Sequence, residues 1–68
     1  MSGIESREFG ERAAAVAKMA ASATGKLRRA EMNGVCPLSD TLIMEAEALL
    51  EAARIMAKDL RLMAEEAR

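Results

Sequence analysis

Two stretches of this chain place apolar residues at alternating steps of four and three, and a short run of turn-forming residues separates them. The first stretch holds Phe9, Ala13, Val16, Ala20, Ala23, Leu27 and Ala30; the second holds Leu42, Ala46, Leu49, Ala53, Met56, Leu60, Met63 and Ala67. A mean period of about 3.5 residues is the seam of two helices crossing at a shallow angle. Strands would need a period of two, which neither stretch has. The separator, Asn33-Gly34-Val35-Cys36-Pro37-Leu38-Ser39, combines a glycine able to adopt positive φ with a proline that cannot continue a helix. The pattern predicts helix 1 over about 4–32, a loop over 33–39 and helix 2 over about 40–67. A connection this short favours antiparallel neighbours. The expected fold is all-α: one domain, residues 1–68, forming a coiled-coil-like two-helix antiparallel hairpin.

Local signals refine the ends. Ser2-Gly3-Ile4-Glu5 has the spacing of a capping box for helix 1. Ser39, Asp40 and Thr41 are each competent to cap helix 2, and Asp40 suits the positive end of its dipole. Lys26, Arg28 and Arg29 are expected to complement the negative C-terminal end of helix 1. One conflict stands inside that helix, at Ser22-Ala23-Thr24-Gly25. Its Ser, Thr and Gly are poorer helix formers than Ala, and the glycine alone costs about 1 kcal/mol. Three outcomes are open there: a tolerated isolated glycine, which is the ordinary case, a kink, or close approach of a partner backbone at Gly25.

A chain of 68 residues buries a small core and usually needs a disulfide, a metal or a partner to complete it. With Cys36 the single cysteine and no histidine, neither an internal disulfide nor a Cys/His zinc site can be assembled. Association is what remains, either with another protein or with a second copy. A lone cysteine suits a reducing compartment, so the cytoplasm is the expected location. The opening residues carry acids early and no apolar core, so no secretory leader is expected. The most apolar run, Ala13 to Ala23, is interrupted by Lys18 and is too short to span a bilayer, so no membrane segment is expected either.

Ten basic and eleven acidic residues give a net charge of −1, with no bias towards nucleic acid. Residues 1–34 hold six basic and four acidic groups, residues 35–68 four basic and seven acidic, so paired helices would set opposite biases side by side. The basic cluster at 26–29 lacks interleaved aromatics, as does a chain with neither Trp nor Tyr, and no nucleic-acid partner is expected. Thr24-Gly25-Lys26 resembles a phosphate-loop fragment but lacks the upstream glycine and the preceding strand. The acid pairs Glu47/Glu51 and Glu65/Glu66 have no matching acids on a second helix. Cys36 lacks a resolving cysteine and reads as an inert, accessible loop thiol. No nucleophile, base or metal constellation emerges, so a non-enzymatic protein without cofactor or metal is expected.

The interaction signal lies on helix 2. Ile43, Leu50, Ala57 and Ala64 flank the seam and are expected to widen the core-facing stripe. Ala48, Ile55 and Leu62 lie well round the helix, and Met44 adds apolar surface on the same outer side. One partner helix cannot cover both sides, so Met44, Ala48, Ile55 and Leu62 form the expected protein-binding row. Six methionines make the apolar surface adaptable, though most fit as core filler. Homodimerisation into a four-helix bundle would cover the outer row, as in a small phage or plasmid regulator that sequesters a bacterial protein; so would a different protein.

Arg28-Arg29-Ala30-Glu31-Met32-Asn33-Gly34-Val35-Cys36-Pro37, followed by Ala48-Leu49-Leu50-Glu51-Ala52-Ala53-Arg54-Ile55, resembles the small helical-hairpin co-chaperones of the type III secretion needle subunit. The likeness covers about residues 24–60: a basic pair before a Gly-containing turn, then an Ala/Leu-rich second helix. It implies a cytoplasmic bacterial protein that pairs with a tetratricopeptide-like chaperone and keeps the needle subunit from polymerising early. The outer Ile55/Leu62 row would then seat the helical partner.

Overall fold

The computed structural model describes residues 3–66, with side chains from Ser6 onward, as two helices: α1, Gly3–Asn33, and α2, Pro37–Glu66. At about 1.5 Å per residue, 31 residues make a rod of about 46 Å, which matches the 49 × 16 × 12 Å outline of the chain. The pairing is antiparallel. Ser39 Oγ meets the Ala30 carbonyl near the turn, Lys26 Nζ meets Glu45 further along, and Arg12 meets Met63 Sδ near the far end. The all-α hairpin expected from the seam is the fold.

The turn is shorter than its composition predicts. Helix 2 begins at Pro37, three residues ahead of position 40, because proline's fixed φ and missing N–H suit the first helical position. Cys36 is therefore the N-cap residue, and its carbonyl accepts the first intrahelical bond, from Asp40 N–H at 3.2 Å. Ser39, Asp40 and Thr41 lie inside the first turn instead of capping it. Asp40 keeps its place near the positive end of the dipole, and the Thr41 hydroxyl donates to the Pro37 carbonyl.

At the other side of the turn, Gly34 adopts φ +70° and its N–H donates to the Ala30 carbonyl at 3.0 Å, closing α1 with a left-handed cap. The last turn of α1 carries no basic residue, so the basic cluster does not complement that end. Ser39 does the corresponding work. It is 4% exposed, and its single hydroxyl proton lies within reach of the Gly34 and Ala30 carbonyls, tying α2 to the terminus of α1. The capping box at Ser2 and Glu5 lies outside the described residues and side chains.

Helix 1 runs unbroken through Gly25. The Thr24 hydroxyl donates back to the Ala20 carbonyl at 2.9 Å, absorbing the polar group within the helix. A Cβ built on Gly25 would meet nothing within 4 Å, so no neighbour in the hairpin requires glycine there.

The seam forms where the 4,3 spacing places it. Ala23, Ala30, Leu42, Ala46 and Ala53 are buried, and Phe9, Ala13, Val16, Ala20, Leu49, Met56, Leu60 and Met63 are half-buried. Ala67 lies outside the described residues. Leu27 departs from the pattern at 41% exposure. The buried seam positions near it are Ala23, Ala30, Leu42 and Ala46. Among the described residues no large side chain is fully buried, and Leu42 comes nearest, at 3%.

Candidate protein-binding faces

With one helix against another, each seam has two flanks. On one flank Lys26 pairs with Glu45 at 3.0 Å, and Arg12 and Asp59 line a common hollow with Met56. Met19 and Ala52 occupy the equivalent seven-residue positions between them, and both are half-buried. Charge and bulk close this flank. The hollow, at about 120 Å³, is far smaller than the roughly 300–1,000 Å³ of small-molecule sites.

The opposite flank is open. There α1 offers Gly10, Ala17 and Thr24, while α2 offers Ile43, Leu50, Ala57 and Ala64. Ile43 is 39% and Leu50 45% exposed, and Ala57 is exposed; only Ala64 is half-buried. The expectation that this row widens the core is corrected. The residues facing it from α1 are too small to cover it, so an apolar strip remains along the side of the hairpin.

The outer row of α2 is a separate surface, on the side away from the seam. Met44 is 69%, Ile55 54% and Leu62 43% exposed, and Ala48 is exposed as well. The four predicted residues thus share one accessible face, one apolar side chain wide and bordered by Glu51, Lys58 and Asp59. A third apolar group sits at the turn, where Met32, Val35 and Leu38 are all exposed. Sequence reasoning missed the flank and the turn; the signal for the first was the run of small residues at seven-residue spacing on α1.

Among the described residues no group of three or more His, Cys, Asp or Glu side chains converges as a metal site would require. Cys36 is half-buried, with its Sγ 3.4 Å from Ser39 Oγ. Hydrogen bonding from the Ser39 side chain and backbone, with help from the Leu38 amide, holds its pKa below the ordinary thiol value. This is the effect of a helix N-terminus on an N-cap sulfur. No described helix is long and apolar enough to cross a membrane.

No protein family model, curated protein or solved structure matches this chain.

Proposed function

We propose that the chain is a non-enzymatic protein-binding module whose hairpin is completed by helices of another protein. One observation carries this reading: the apolar side chains are distributed inside out. Among the described residues four of the five buried hydrophobic residues are alanine, while nine large apolar side chains are at least 39% exposed. The chain exposes 5197 Å², whereas a compact monomer of 7.3 kDa would expose about 4,200 Å². The excess, about 1,000 Å², is of the order that one partner contributes to a stable interface.

Within this reading, the Met44/Ala48/Ile55/Leu62 row seats an amphipathic partner helix, with anchors seven residues apart. The resemblance over residues 24–60 supplies the partner class: a tetratricopeptide-like chaperone and the needle subunit that the pair would hold unpolymerised in the bacterial cytoplasm. Co-expression with both proteins from the same genome tests it. The expected result is a soluble ternary complex that Ile55→Asp with Leu62→Asp disrupts while circular dichroism shows helicity retained. Failure of the unaltered, folded chain to bind either protein overturns the assignment.

A further inference from the structure

The open flank has a feature that the outer row lacks. Immediately beyond Ile43, Leu50 and Ala57 on the surface of α2 runs a row of exposed charged residues, one per seven: Asp40, Glu47, Arg54 and Arg61. The half nearer the turn is acidic and the half further from it is basic. The order reads as its own complement when reversed: positions 40 and 61, and positions 47 and 54, are symmetric about the same point beside Leu50.

We infer that this flank is a two-fold interface with a second copy of the chain, in which α2 packs antiparallel against α2 with the axis at Leu50. In that arrangement Asp40 and Glu47 of each copy face Arg61 and Arg54 of the other. A parallel arrangement would set acid on acid and base on base, so the charges choose the direction. Shape agrees with charge. Ile43 of one copy meets Ala57 of the other, bulk against a small residue, and Leu50 meets its own counterpart. The small Ala17 and Thr24 on α1 leave room for the second hairpin to come close. Arg54 is available for this: its side chain is 77% exposed even while paired with Glu51 at 2.9 Å. The contact from 40 to 61 runs about 32 Å along the helix, long enough to draw on the surplus exposed area. Such a dimer leaves the Ile55/Leu62 row uncovered, so the inference does not depend on the partner proposed above.

Sedimentation equilibrium on the full chain at concentrations up to roughly 100 µM tests it. The unaltered chain is expected to be a dimer that weakens when salt is raised to about 0.5 M. The pair Arg54→Glu and Arg61→Glu should weaken self-association about tenfold or more by placing acids opposite acids. The reversed pair Asp40→Arg and Glu47→Arg should do the same, and mixing the two variants should restore a tight heterodimer. Leu50→Asp should leave a helical monomer. A chain that stays monomeric at the highest concentration overturns the inference. So does a dimer insensitive to either charge pair, or one broken by Ile55→Asp and Leu62→Asp but not by Leu50→Asp.

Discussion

Replacing Gly25 with alanine isolates what helix regularity contributes to this hairpin. The built Cβ meets no atom within 4 Å and φ at Gly25 is not positive, so the new methyl brings no clash and no backbone strain. Alanine is the better helix former by about 0.8–1.0 kcal/mol, chiefly because the unfolded chain has less conformational freedom to lose. Unfolding entropy of about 2.1 cal/mol/K per residue amounts to roughly 140 cal/mol/K over this chain, so 1 kcal/mol raises Tm by about 7 °C. Gly34→Ala is the counter-experiment. Its Cβ also meets nothing, yet φ is +70°, and a side chain there costs about 1–2 kcal/mol. Thermal melts followed at 222 nm, at one fixed concentration, should move up for Gly25→Ala and down for Gly34→Ala. A Gly25→Ala variant melting at or below the parent would refute the reasoning, since it would mean a neighbour or a distorted backbone requires glycine there.

Further substitutions follow from the seam and the turn. Leu42→Ala, at 3% exposure, should cost about 2–5 kcal/mol, enough to leave the chain largely unfolded by circular dichroism before urea is added, and half-buried Leu49→Ala roughly half of that; equal losses of helicity would mean the seam is wrongly centred. Ser39→Ala should cost about 0.5–1.5 kcal/mol, since the Ala30 carbonyl keeps the Gly34 N–H and Gly34 is open to water, read from urea unfolding curves. Cys36 should react with a disulfide probe at lower pH than free cysteine, because the thiolate is favoured, and Ser39→Ala should move that profile to higher pH. Lys26→Met should change stability by less than about 1 kcal/mol, since the Glu45 carboxylate it meets is half exposed to water.

The seam and the hairpin were legible because a period near 3.5 is a one-dimensional signal that survives without knowledge of the partner. What lay across the helix axis was not. Whether Ile43 and Leu50 are core or surface depends on the width of the helix facing them, and Gly10, Ala17 and Thr24 make that helix narrow. Pro37 was legible as a punctuation mark but ambiguous in direction: proline ends one helix and begins another equally well, and here it begins. The outer row, read from angle alone, is as exposed as the angle implies, because among the described residues α1 lies on the other side of α2.

The alanine seam also bears on how much of the chain persists in a cell. With four of its five buried hydrophobic residues alanine among the described residues, and the larger seam side chains other than Leu42 only half-buried or exposed, the hairpin removes little apolar area from water. Any copy or partner that binds the closed form then supplies a large share of its stability, about 2.7 kcal/mol at a hundredfold excess over Kd. Chains without company open more often and present their backbone to proteases. Under the association proposed above, abundance is expected to follow the supply of binding partners.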